Sequence, residues 1–218
     1  MAQKSIMEYV KPEIKEISAY TLSQYEHEIK INQNENPYDV PAELKKEILD
    51  FAEKRSWSRY PPFVPEDMQN ALAEFTGWTA DGILVGNGSN ELVQALMTVF
   101  INRDDKLVIP APTFTLYRLI GGILGADVVE VPLKPDYTYD CDKMEQEFLD
   151  GGAMLIICSP NNPTGAVYPV DRLEKLLKQT DKPVIVDEAY CEFSGETVAD
   201  LLEDHDNLIV LRTFSKAF

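Results

Sequence analysis

The chain has 218 residues, 44% of them apolar, which is enough for one sizeable domain or one and a fraction. Acidic residues outnumber basic ones 37 to 20, a net charge of −17, and a field of that sign repels phosphate backbones and anionic membranes, excluding nucleic acid and membrane surfaces as expected partners. Cys141, Cys158 and Cys191 form no CxxC pair, and with only His27 and His205 beside them no metal cluster is expected; the N-terminal twenty residues hold no long apolar run, so a cytoplasmic protein is expected.

Residues 1–40 are polar and punctuated by proline, without a clean period. Val40 to Lys54 reads as a helix, with Leu44, Ile48 and Phe51 on one face. The prolines of SRYPPFVP (58–65) make a loop, and Glu66 to Phe75 a helix ending at Gly77. From Gly82 a regular alternation begins. ILVGNGS (83–89) predicts a short strand running into a glycine-rich turn, and Glu91 to Ile101 a helix. Then come a strand over 106–112, a helix over 114–124, a strand over 127–132 and a helix over 143–149. A strand over 153–160, a helix over 170–179 and strands over 183–190 and 207–215 complete the series. Short β-branched runs between amphipathic helices indicate an α/β fold, a mostly parallel sheet with helices on both faces. Ligands bind such sheets at the carboxyl ends of the strands.

The chemistry-bearing residues fall at those ends. Gly86-Asn87-Gly88-Ser89-Asn90 follows a strand and opens a helix, where free N–H groups suit a phosphate; a plain turn is the alternative. Ser159-Pro160-Asn161-Asn162-Pro163-Thr164-Gly165 packs turn formers in a strict order that leaves Asn162 pointing outward. Asp187 closes an apolar strand in Val186-Asp187-Glu188-Ala189-Tyr190. It is either a buried carboxylate in need of a partner or a surface residue capping a turn. Lys216, in Arg212-Thr213-Phe214-Ser215-Lys216-Ala217-Phe218, is either a surface lysine or, shielded from water, a nucleophile.

Taken together, SPNNPTG, VDEAY and TFSKAF in this order resemble the fold-type I aminotransferases, over essentially the whole chain. INQNENPYDVP (31–41) and SRYPP (58–62) are similar to the histidinol-phosphate aminotransferase branch. The resemblance implies pyridoxal 5′-phosphate held covalently by Lys216, which would also shuttle a proton at the substrate α-carbon. Asp187 would face the pyridine nitrogen, Tyr190 and Asn162 the phenolic oxygen, and Phe114 the ring face. Ser89, Asn90, Thr213 and Ser215 would cup the phosphate. Tyr60 would reach the cofactor of a neighbouring subunit, which implies a homodimer, and Tyr20 and Asn34 would line the substrate side. The implied reaction passes an amino group from a donor, glutamate, to a keto acid. In this branch the pair is histidinol phosphate and imidazole-acetol phosphate, in histidine biosynthesis.

The same resemblance divides the chain into an N-terminal arm or small-domain segment, 1–55, and a cofactor-binding large domain, 56–218. The family continues well past the position of Phe218, so the large domain is expected to be incomplete and the 218-residue chain alone to be inactive. The expected last strand of that domain would lie beside 83–86. Other amino-group chemistry on the same scaffold stays open: an aromatic or branched-chain aminotransferase, a decarboxylase or a lyase. A non-catalytic binding module is a further alternative, opposed by the presence of Lys216, Asp187, Tyr190 and Asn162 together. A nicotinamide-binding Rossmann enzyme fails because GNGSNE is not GxGxxG.

Overall fold

A computed structural model describes residues 5–15 and 29–218; Tyr20 and His27 lie outside them. The described helices are α1 (Pro12–Lys15), α2 (Ala42–Lys54), α3 (Glu66–Thr76), α4 (Ser89–Phe100), α5 (Thr115–Leu124), α6 (Cys141–Leu149), α7 (Val170–Leu177) and α8 (Cys191–Ser194). The strands are β1 (Lys106–Ala111), β2 (Asp127–Pro132), β3 (Gly152–Cys158), β4 (Val184–Asp187) and β5 (Leu208–Leu211). They form one parallel sheet in the order β2-β1-β3-β4-β5.

Both faces of the sheet are covered, which is why its central strands are apolar without interruption. Side-chain alternation along β3 divides the core. Leu155 and Ile157 join Met144 and Phe148 of α6 and Leu173, Leu176 and Leu177 of α7 on one face. Met154, Ile156 and Cys158 join Val93 and Met97 of α4 and Tyr117 and Ile120 of α5 on the other. Each fully buried aliphatic side chain contributes about 1.5–3 kcal/mol. Helix α5 lies close on the sheet: a Cβ on Gly121 would come within 2.7 Å of Val128 and 2.9 Å of Leu107. Asp140 caps α6, its side chain accepting from Lys143 N at 3.3 Å, and so starts that helix two residues before Lys143.

The chain leaves β1 toward β2 on one side and reaches β3 on the other, so the crevice between the ends of β1 and β3 is a topological switch point. Asn161 spans it. Its Nδ2 donates to Pro112 O (3.0 Å) and Thr164 Oγ1 (2.8 Å), and its Oδ1 accepts from Thr113 Oγ1 (2.7 Å).

The strand expected at 83–86 does not form. Ile83 N donates back to Ala80 O, closing a 3-10 turn over Ala80–Gly82, and Ile83 O accepts from the Gln69 side chain. Leu84 is 78% exposed. A strand exists only as part of a ladder, and among the described residues no strand lies beside this segment. The other expected strands are present; β2 ends at Pro132 as expected, and the others end earlier, at Ala111, Cys158, Asp187 and Leu211. Beyond those residues the chain turns into the loops that carry the polar groups. Helix α2 forms as expected, yet Leu44, Ile48 and Phe51 are exposed, so its apolar face has no described partner.

Candidate functional site

Asp187 is the last residue of β4, in register with Cys158 and Leu211, and is 3% exposed. Its Oδ2 accepts from the Tyr117 hydroxyl at 2.6 Å and its Oδ1 from Ala189 N at 3.0 Å. Burial pushes the Asp187 carboxyl above the usual carboxylate range; the two hydrogen bonds oppose that push, and the neighbouring Glu188 adds to it. Burial and the surrounding acids hold the Tyr117 hydroxyl far above its ordinary value, so it remains a donor. Among the described residues no cation pairs with Asp187, whereas the adjacent Glu188 is paired with Arg212.

The sign of the resulting linkage is definite. A raised folded-state pKa means that the native protein holds this proton more tightly than the unfolded chain does. The associated stability is present below the ordinary carboxylate value and is lost as pH rises through the folded one. Its charged form is a buried anion whose natural complement is a cationic group, and none is described beside it. Tyr117→Phe removes one donor to that anion. It should lower stability by about 1–3 kcal/mol at neutral pH, and by less in acid, where the carboxyl carries its own proton. Urea unfolding at the two pH values measures this; equal losses at both would show that the hydroxyl does not support the charged form.

On the near side of the crevice, Tyr190 follows β4 and its hydroxyl receives two amides, Asn34 Nδ2 at 3.1 Å and Asn162 Nδ2 at 3.4 Å. Burial raises the Tyr190 pKa, and the bond from Asn34 works against that rise. The Lys216 ammonium stands 5.9 Å from the centroid of the Tyr190 ring and donates to Gln33 O at 3.1 Å. These groups border a cavity of about 660 Å³ lined by Asn34, Tyr38, Asn162, Tyr190, Phe193 and Lys216, among others.

Of the residues expected from the sequence, the structure brings Asn34, Asn162, Tyr190 and Lys216 around this cavity. Phe114 is half-buried and meets Tyr117 edge-on at 5.6 Å, and Tyr117 connects it to Asp187. Thr213 and Ser215 bond each other at 2.9 Å. Ser89 is the first residue of α4, after Gly88, which takes the left-handed φ of 78° that a side chain would resist. Asn90 follows it on the surface. Within that loop Asn87 N donates to the Glu91 carboxylate. Among the described residues, neither Ser89, Asn90 nor Tyr60 bonds to the Lys216 cluster, and Tyr60 is 98% exposed.

Two residues of the site escaped sequence reading. Tyr117 sits in the first turn of α5 on its buried face and looks like core; the one available signal is that a buried tyrosine hydroxyl needs a partner. Asn161 is next to Asn162 in the same loop, and only the fold distinguishes the residue that ties the crevice from the one that faces it.

Sequence comparison matches residues 26–218 to the family model for aminotransferase class I and II. The histidinol-phosphate aminotransferase of Thermococcus gammatolerans is 40% identical over 205 residues, 94% of this chain and 59% of the relative. That of Chlorobium phaeovibrioides is 38% identical over 218 residues, 99% of this chain and 61% of the relative. The chain thus spans about 60% of the length of these relatives. The solved histidinol-phosphate aminotransferase of Sinorhizobium meliloti, in complex with pyridoxal-5′-phosphate, superposes with a TM-score of 0.76. That match covers 85% of this chain and 51% of the solved one at 24% identity, a likeness of fold. No helix among the described residues is long and apolar enough to cross a membrane. By the match over residues 26–218, this chain belongs to the class I and II aminotransferases.

Proposed function

We propose that this chain, within a protein of its relatives' length, transfers an amino group from glutamate to imidazole-acetol phosphate, giving histidinol phosphate and 2-oxoglutarate, with pyridoxal 5′-phosphate as its cofactor. The observation that carries this reading is Asp187: a nearly fully buried carboxylate, supported by two donors and lacking a described cation, at the end of β4, three residues before Tyr190. The donor set fits a flat cationic ring with an anionic oxygen. When bound, the cofactor supplies an electron sink through its protonated pyridine ring.

The chain's own residues divide the remaining work. Asp187 holds the proton at the ring nitrogen, and Tyr117 and Ala189 N keep its charge in place. Tyr190 Oη and Asn162 Nδ2 face the phenolic oxygen and stabilise its anionic form. Lys216 Nζ anchors the cofactor and moves the proton at the substrate α-carbon. Phe114 covers the ring face and excludes water. Ser89, Asn90, Thr213 and Ser215 would bind the phosphate and Asn34 would border the substrate; Tyr20, of which the same is expected, lies outside the described residues. The full exposure of Tyr60 supports a role outside its own subunit, in a cytoplasmic homodimer. Residues 56–218 would be the incomplete cofactor-binding large domain and 1–55 an N-terminal arm or small-domain segment; the bond from Asn34 to Tyr190 supports a contact between the two.

Tyr190→Phe leaves the ring and removes the hydroxyl. The expected loss in kcat/KM is about tenfold, or about 1.4 kcal/mol of transition-state stabilisation. A larger loss, with failure to bind cofactor, would give the ring rather than the hydroxyl the main role. The substrate assignment is tested by presenting glutamate with imidazole-acetol phosphate, an aromatic keto acid and a branched-chain keto acid in turn. The phosphate-bearing acceptor should give the highest kcat/KM; a faster aromatic or branched-chain acceptor would overturn it.

A further inference from the structure

Glu188 directly follows Asp187, so strand alternation sends its side chain to the opposite face of the sheet. It is 1% exposed. Its Oε2 accepts from Arg212 Nε at 3.0 Å and from Thr197 Oγ1 at 2.9 Å, and its Oε1 accepts from Val198 N at 2.6 Å. The Arg212 Nη2 lies 3.0 Å from the same carboxylate and donates to Thr197 Oγ1 at 2.6 Å. Glu188 N in turn donates to Leu211 O at 2.8 Å. Buried ion pairs are poor sources of stability, since apolar replacements of similar volume are often neutral or better. Their better-attested use is to fix one arrangement.

What this pair fixes is set by its place in the chain. The β4–β5 ladder ends at Asp187 and Leu211. Arg212 is the first residue beyond it, and Lys216 is four residues further on. Between those two, Thr213 and Ser215 bond only each other among the described contacts, and Phe214 packs outward on Phe75 and Phe218. Arg212 therefore makes the last described side-chain hydrogen bond between the lysine segment and the turn that bears Asp187 and Tyr190; beyond it, the Lys216 ammonium stands over the Tyr190 ring at 5.9 Å.

We propose that Glu188 and Arg212 are positioning residues, a clamp across the ends of β4 and β5 that sets the Lys216 amino group against Asp187 and Tyr190. The proposal rests on the proposed cofactor chemistry for its consequence in turnover, and on the clamp alone for its consequence in local order.

Three forms of the protein at its relatives' length separate the two: the parent, Arg212→Met, and Glu188→Gln/Arg212→Met. Hydrogen exchange without cofactor reads the clamp. Amides of 212–217 should exchange about tenfold faster in both variants, with β3 unchanged. Turnover with glutamate reads the consequence: kcat should fall about 10²-fold while KM for glutamate stays within about threefold. Arg212→Met strands a buried charge and should melt at a lower temperature; the double variant removes that charge and should regain the melting temperature without regaining kcat. Recovery of kcat together with stability, or unchanged exchange over 212–217, would overturn the clamp. Failure of the parent to take up pyridoxal phosphate would instead overturn the functional reading, and the exchange measurement would still decide the clamp.

Discussion

Lys216→Ala should reduce amino transfer by roughly 10⁴-fold, the upper range for loss of a positioned general acid–base group, and should remove the covalent attachment point as well. The expected size follows from the surroundings of the side chain. Its ammonium borders the cavity beside the Tyr190 ring, bonded to a backbone carbonyl, and no described carboxylate pairs with it. An amine held this way is available to a carbonyl carbon once it gives up its proton. The fold should survive the change, since Lys216 is half-buried and lies outside the sheet. Stopped-flow turnover with glutamate, beside a circular dichroism melt, tests both parts. A loss of only about tenfold would move the proton transfer to another residue.

The second large effect is expected of Asp187→Asn, and it has two signs. Turnover should fall about 10²–10³-fold, because a neutral amide cannot hold a proton on a ring nitrogen as a carboxylate does. Stability without cofactor should rise toward higher pH, because the substitution replaces a buried carboxyl whose charged form has no described cation with a neutral amide. The gain must shrink on acidification: the parent regains stability as Asp187 takes up its proton, and asparagine does not titrate. Urea unfolding curves of both proteins across the acid range, without cofactor, test the stability part. A variant that is less stable at every pH would mean that the carboxylate is held there for structure. The expected opposition of activity and stability at one residue is the mark of a group kept charged for a ligand.

Most of the framework was legible in the sequence because it rests on short-range pattern. The apolar runs of β1, β3 and β4 and the helices between them follow from periodicity alone, and glycine or proline marks their ends. Residues 83–86 show the limit of that reading. Their apolar run is as strand-like as that of β5, yet β5 has β4 beside it and 83–86 has no described neighbour. Pattern gives a segment's preference, and the ladder decides whether it is realised. The same limit applies to the site. Asp187, Asn162, Tyr190 and Lys216 announce themselves by falling at strand ends in family-like order. Tyr117 acts from the first turn of a helix, and Glu188 and Arg212 meet across 24 residues. Contacts of that kind depend on how two elements pack, which no local pattern encodes.

The most direct test is to incubate the protein at its relatives' length with pyridoxal 5′-phosphate, fix the adduct with borohydride, and locate it by peptide mass spectrometry, in the parent and in Asp187→Asn. Fixation at Lys216 in the parent, with weaker uptake by Asp187→Asn, is the expected result. Modification spread over surface lysines, or uptake unaffected by Asp187→Asn, would contradict the assignment of this crevice as the cofactor site.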